Sequence, residues 1–160
     1  MKSAVIYYSY SGNTKQVARV LSEFLAAKGE VVQIELIAPD ESKSFLVQCR
    51  RAFSHARAKI TPVNFDLSGF DLICFGTPVW AFGPAPAVNT YLDNCRGLEG
   101  KEIILFTTYG SGTGNKRCLK FMQDALGKKG ANNFTRFSIQ QGKVKDREFV
   151  LSKIKEMAGF

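Results

Sequence analysis

The chain of 160 residues has little of what most catalytic and metal-binding proteins display. It holds one histidine, His55, and four cysteines, Cys49, Cys74, Cys95 and Cys118, spaced widely with no CxxC pair. Metal sites built on cysteine and histidine show close pairs, so no metal is expected, and the cysteines are read as structural or incidental free thiols. No apolar run approaches the roughly 18–20 residues that a membrane span needs. The first apolar stretch, Ala4–Tyr8, is too short for the core of an export signal, so a cytoplasmic protein without a membrane span is expected. The nucleotide loop GxxxxGK followed by Ser or Thr is absent, as is the dinucleotide fingerprint GxGxxG. No acid–base pair or nucleophile stands out, and His55 is expected at the surface, so no catalytic residue is assigned.

Charge of one sign is scarce as well. Asp plus Glu number 14 against 22 Lys plus Arg, a formal net charge of +8. Such an excess speaks to partners and not to fold. No recognition helix, zinc finger or aromatic RNA-binding motif accompanies the basic residues, so nucleic acid is not an expected partner.

What is present is an alternation of apolar strands and amphipathic helices. Strands are expected at Ser3–Tyr8, Glu30–Ile37, Phe70–Gly76, Lys101–Thr107 and Phe134–Ile139. The third, FDLICFG, is nearly all apolar, as strands buried on both faces of a parallel sheet are. Between and after them, helical spacing appears around Val17–Leu25, from Asp40 to about Lys59, and over Pro84–Asn94, Thr113–Lys129 and Lys145–Ala158. Gly29 is expected to end the first helix by adopting a left-handed conformation. Parallel strands need right-handed crossovers, so the fold class is α/β, a doubly wound five-stranded parallel sheet with helices on both faces. With no repeat or linker, residues 1–160 read as a single domain. The segment Gln48–Leu67 is long for one connection, and its role is left open.

Ligands of doubly wound sheets bind beyond the carboxyl ends of the strands. After the first strand come Ser9, Tyr10, Ser11, Gly12, Asn13 and Thr14, opening a helix. Free N–H groups and a partial positive charge gather at a helix start. Gly12 lets the backbone approach an anion, and three hydroxyls exceed the needs of one helix cap. With no Lys or Arg inside the loop, N–H and O–H donors would hold a phosphate. A phosphatase loop at this place would need a Cys nucleophile and an Arg, and has neither. After the third strand, Thr77, Pro78, Val79, Trp80, Ala81 and Phe82 put two aromatics into one loop, suited to a flat ligand. The competing reading packs Trp80 and Phe82 back onto the core. After the fourth strand, Thr108, Tyr109, Gly110, Ser111 and Gly112 form a hydroxyl- and glycine-rich rim. Here the competing reading is a plain loop with a helix cap at Thr113. Together the three loops suit a mononucleotide with a large planar ring.

The sequence resembles the flavodoxin-like family. SYSGNT resembles its Ser/Thr-x-Ser/Thr-Gly-Asn-Thr phosphate loop, GTPVWAFGPAPAVNTYLD its second cofactor loop with the following helix, and TTYGSG its third loop. The resemblance covers nearly the whole chain and implies strand order 2-1-3-4-5, FMN as cofactor and electron transfer between redox protein partners. It also implies roles: Ser9, Ser11, Gly12, Asn13 and Thr14 on the phosphate, Tyr10 flanking the cofactor, and Thr77 and Pro78 near the ribityl chain. Trp80, with Ala81 and Phe82, would cover the isoalloxazine, and Tyr109, Gly110, Ser111 and Gly112 would line its other face. Ser111 stands where short-chain members often carry an aromatic residue. Carriers of this family are usually acidic and dock on basic partners, whereas this chain is basic, so its partners are expected to offer an acidic docking face. The alternative implied by the same fold is an NAD(P)H-dependent quinone or flavin reductase, with NAD(P)H as a further partner.

Overall fold

Five strands pair in parallel in the order β2-β1-β3-β4-β5. They are β1 (Lys2–Tyr7), β2 (Glu30–Glu35), β3 (Leu72–Pro78), β4 (Glu102–Tyr109) and β5 (Asn133–Gln140). The helices are α1 (Asn13–Ala26), α2 (Phe45–Phe53), α3 (Pro86–Asn94), α4 (Asn115–Gly127) and α5 (Arg147–Met157), with a single 3-10 turn at Gln141–Lys143. The computed structural model describes residues 1–39, 43–110 and 112–158. Both the strand order and the doubly wound arrangement are those the sequence implies.

Alternation along each strand sends successive side chains to opposite faces, and each face has its own core. Ile73 and Phe75 of β3 join Tyr91 and Leu92 of α3 and Met122 and Leu126 of α4. Leu72 and Cys74 join Val17 and Leu21 of α1 and Val150 and Ile154 of α5. The near-continuous apolar run of β3 follows from this double burial. Cys74, Cys95 and Cys118 are buried and Cys49 partly so; all four are free thiols. Burial pushes the Cys95 thiol up to about 11 and raises those of Cys74 and Cys118 as well. Buried apolar side chains each contribute on the order of 1.5–3 kcal/mol.

Two local expectations need correction. The second helix, expected from Asp40 to about Lys59, is α2 at Phe45–Phe53; Asp40, Glu41 and Ser42 lie outside the described residues. It stops because the following chain is gripped elsewhere. Thr90 Oγ1 of α3 accepts from the Ala58 N–H at 3.0 Å and donates to the Ala58 carbonyl at 2.7 Å. His55 sits at φ +51°. Gly29 does not end α1, which closes at Ala26 with Ala27 still right-handed. Gly29 has a φ of +151°, and a Cβ there would fall 2.0 Å from the Met1 carbonyl oxygen, so close approach to the start of β1 demands it. His55 is half-buried at the surface, its ring stacked 4.4 Å from that of Phe121.

Gly76 shows how tightly the sheet is packed under its carboxyl edge. A Cβ at this position would lie 2.1 Å from Cζ of Phe106. Overpacking of this kind costs about 1–3 kcal/mol. Gly76→Ala is therefore expected to lower the urea-unfolding free energy by that amount. Gly69→Ala, with no atom within 4 Å of the new methyl, is the control and should leave the midpoint nearly unchanged.

Candidate functional site

The parallel sheet turns β1, β3, β4 and β5 out at one edge, and a cleft of about 540 Å³ opens there. Its walls come from Tyr10, Ser11 and Asn13 after β1, Pro78 to Ala81 at and beyond the end of β3, and Thr108 to Gly110 at and beyond the end of β4. Two further residues complete it, Cys49 from α2 and Gln141 from the turn after β5. Among the described residues, no lining side chain carries a formal charge.

Gly12 caps α1 from the left-handed region, at φ +87°, and offers no side-chain bond to the first turn. A Cβ there would meet nothing within 4 Å, so the space before the helix start is open. Ser9 Oγ accepts the Lys15 N–H at 3.1 Å and so anchors the loop to the helix. Thr14 is buried, and its hydroxyl bonds that of Thr108 at 2.8 Å. That bond ties the helix start on β1 to the end of β4, two strands away. Below the loop, Lys15 pairs with Glu35 at 2.8 Å. Burial, and then the Glu35 carboxylate, push the Tyr7 hydroxyl up to about 12.

The loop after β3 is a two-residue hairpin. Trp80 and Gly83 exchange both backbone bonds at 2.9 Å, with Ala81 at φ +46° and Phe82 at φ +68°. A turn with two positive φ values favours Gly or Asn; Ala and Phe there are strained. Thr77 holds the loop's base: its hydroxyl accepts from the Ala85 N–H at 3.0 Å and donates to the Pro78 carbonyl at 2.9 Å. Trp80 is only 4% exposed. It stands edge-on between Tyr8 (5.6 Å) and Tyr10 (5.5 Å) and still forms part of the cleft wall. Phe82 turns outward and lines a neighbouring hollow of about 140 Å³ with Tyr109 and Thr113, under the Arg117 guanidinium at 5.9 Å. The core-packing reading thus holds for Trp80 and not for Phe82.

Tyr109 and Gly110 form the opposite rim, with Gln140 Nε2 donating to the Gly110 carbonyl at 3.2 Å. The cap of α4 is Gly114 at φ +90°, not Thr113. A Cβ on Gly114 would sit 2.6 Å from Phe82 Cδ1, so the second and third loops touch there. Gly112 is exposed at φ +81°, and Ser111 lies outside the described residues. The structure therefore brings Tyr10, Ser11, Asn13, Pro78, Val79, Trp80, Ala81, Thr108, Tyr109 and Gly110 to one cleft. It keeps Ser9, Thr14 and Thr77 engaged in bonds that shape the loops.

Cys49 and Gln141 were missed by sequence reasoning. Gln141 was accessible to the same logic, because it follows the carboxyl end of β5, a position left unread. Its amide nitrogen stands 3.2 Å from where a Gly110 Cβ would be, at the cleft rim. Cys49 carried no local signal, and only the placement of α2 brings it in. Burial raises its thiol above the usual range, so it stands protonated. Among the described residues no cluster could hold a metal ion, and no helix is long and apolar enough to cross a membrane.

Strand order 2-1-3-4-5, with a helix-capping hydroxyl loop and an uncharged aromatic cleft at the carboxyl edge, defines a doubly wound mononucleotide-binding type of protein. The family model described as Flavodoxin matches residues 2–148, and the chain belongs to the flavodoxin family. Solved structures with the same fold include a flavoprotein in complex with FMN from Lactobacillus acidophilus NCFM. It is 23% identical, with 92% of this chain and 98% of that one covered at a TM-score of 0.64. Oxidised flavodoxin 2 from Bacillus cereus is 20% identical, with 99% of both chains covered at 0.65. The apo form of the NADH:FMN oxidoreductase EMOB is 16% identical, with 98% and 88% covered at 0.66. No curated protein sequence matches the chain significantly.

The hairpin strain gives a test. A left-handed conformation costs an ordinary residue roughly 1–2 kcal/mol, partly offset by the entropy of glycine. Ala81→Gly is expected to raise stability by about 0.5–1 kcal/mol, read as a higher urea midpoint with an unchanged m-value.

Proposed function

We propose that this protein is an electron-transfer flavoprotein that uses FMN and exchanges one or two electrons with redox partners. The observation that carries the reading is the junction of an open helix start at Ser9–Thr14 with an uncharged aromatic cleft of about 540 Å³. That volume suits a mononucleotide. FMN as cofactor accords with membership of the flavodoxin family and with the FMN complex of the Lactobacillus relative. Bound there, the flavin would supply the redox chemistry, and the protein would supply binding and electrostatics. Ser11, Gly12 and Asn13 would face the phosphate with hydroxyl, backbone and amide donors, while Ser9 and Thr14 hold the loop in shape. Thr77 and Pro78 would border the ribityl chain. Trp80 with Tyr10 would wall one side of the ring system, and Tyr109, Gly110, Ser111 and Gly112 the other. Gln141 would reach its polar edge.

Purified protein, or apoprotein mixed with FMN, is expected to show flavin absorption with quenched fluorescence, and to be reduced and reoxidised reversibly. Gly12→Ala, which strains the helix start, should weaken FMN binding about tenfold or more without unfolding the chain. A colourless protein indifferent to FMN would refute the reading.

The second reading is an NAD(P)H-dependent quinone or flavin reductase. It draws on the hollow beside Phe82 and Arg117 and on the fold shared with an NADH:FMN oxidoreductase. Rapid NADPH or NADH oxidation with a quinone would favour it; a carrier shows none.

The charge balance adds an expectation. Acidic carriers place like charge around the reduced anionic flavin. Here no described cleft side chain is charged and the net charge is +8, although salt screens the distant charges. The second-electron potential is expected to be less negative than in an acidic flavodoxin, as measured by spectroelectrochemistry.

A further inference from the structure

The outer side of α2 does not look like the surface of an ordinary soluble helix. Gln48 and Ala52 point inward and are fully buried. On the other side Leu46 is 80% exposed, Val47 44% and Phe53 69%. Leu46, Cys49, Arg50 and Phe53 follow one another at three- and four-residue spacing and so form one stripe. Cys49, on that stripe, lines the cleft, so the exposed apolar surface runs into the cleft mouth. Across the mouth stand two more exposed aromatics, Tyr10 and Phe82. Tyr10 is joined to the α2 side, its hydroxyl donating to the Lys43 carbonyl at 2.8 Å.

The α2 segment itself carries charge of one sign. From Lys43 to Phe65 the chain carries Lys43, Arg50, Arg51, Arg57 and Lys59 and no carboxylate. The segments Leu72–Leu92 and Ile103–Gln123, which supply the cleft's other walls, also lack Asp and Glu, and contribute Lys116, Arg117 and Lys120. Of these cations Arg57 is paired with Asp93 and Lys120 with Asp124, whereas among the described residues Arg50, Lys116 and Arg117 form no ion pair. An apolar centre flanked by the unpaired cations Arg50, Lys116 and Arg117 fits a partner with an apolar spot bordered by carboxylates. A second copy of this chain would set like charges against each other at the same patch.

We infer that the α2 stripe of Leu46, Val47, Arg50 and Phe53, with Tyr10 and Phe82 across the mouth, is the docking surface for an acidic redox protein. The kind of partner rests on the electron-transfer reading above; the surface itself does not. Desolvated aromatic and arginine side chains near the centre of an interface carry most of its energy. Cations at the rim speed encounter and make it sensitive to salt.

The test measures binding of the full chain to a surface-immobilised acidic [2Fe–2S] ferredoxin, with basic cytochrome c as the counter-probe, across ionic strength. The expected result is salt-sensitive binding to the ferredoxin and none to the cytochrome. Arg50→Glu and Phe53→Gln should each weaken ferredoxin binding about tenfold. Lys155→Glu, the same charge change on α5 across the sheet, should alter it less than about twofold. FMN binding, followed separately by flavin fluorescence, should be the same in all three variants. Equal effects of Arg50→Glu and Lys155→Glu would mean that only net charge matters and would overturn the surface. So would full binding by Phe53→Gln. Co-sedimentation with phosphatidylglycerol vesicles that is lost in Phe53→Gln, without ferredoxin binding, would assign the stripe to a membrane instead. A chain that takes up no FMN yet binds ferredoxin through the stripe would refute the flavoprotein reading and leave the docking surface standing.

Discussion

Parallel pairing of β1 with β3, Ser3 to Tyr7 against Leu72 to Gly76, is the constraint on which the rest of the molecule depends. A parallel neighbour cannot be reached by a tight turn, so every strand must be followed by a crossover on one face or the other. All strand-to-helix turns therefore leave the sheet at the same edge. The loops after β1 and β3 are adjacent because their strands are adjacent, and the loop after β4 joins them on the far side of β3. The buried bond between Thr14 and Thr108 closes this arrangement by fastening the first loop to the third across the central strand.

The cleft made in this way is defined by what it withholds. It offers hydroxyls, amides, a glycine at an open helix start and aromatic rings, but among the described residues no charged side chain. An anion there meets backbone donors and the helix end instead of a countercharge. The cations stand outside, along α2 and at the start of α4, where they act on whatever approaches the mouth. Under the two proposals above, a cofactor in the cleft and a partner on the α2 surface would thus be held by different chemistry in neighbouring places.

At the cleft, backbone strain gathers in the second loop. Ala81 and Phe82 hold positive φ values between paired Trp80 and Gly83, while Thr77 and the Trp80 packing fix the loop at its base. Strained backbone persists only where surrounding contacts over-determine it. Here those contacts are the buried indole, the Thr77 hydroxyl bonds and the close approach of Gly114 to Phe82.

Much of this was legible in the residues themselves. Apolar runs such as ICF in β3, helical spacing in α1, and the SYSGNT loop at a strand end carry local physics: double burial, amphipathic packing and an exposed helix start. These dictated the α/β alternation, and the resemblance of three loops supplied strand order and cofactor. What local pattern could not carry was long-range steric and hydrogen-bond demand. Gly29 reads as a helix stop but is required by the Met1 carbonyl. The helical pattern beyond Phe53 is overridden by Thr90 gripping Ala58. Cys49 and Gln141 enter the cleft only because α2 and the turn after β5 fold over it. By itself, then, the sequence determined the elements, the side of the sheet where chemistry belongs and the positive charge of the chain. Tertiary structure alone decided that Trp80 is buried and Phe82 exposed, and that an apolar, cationic helix face lies beside the cleft, because those outcomes depend on contacts between residues far apart in the chain.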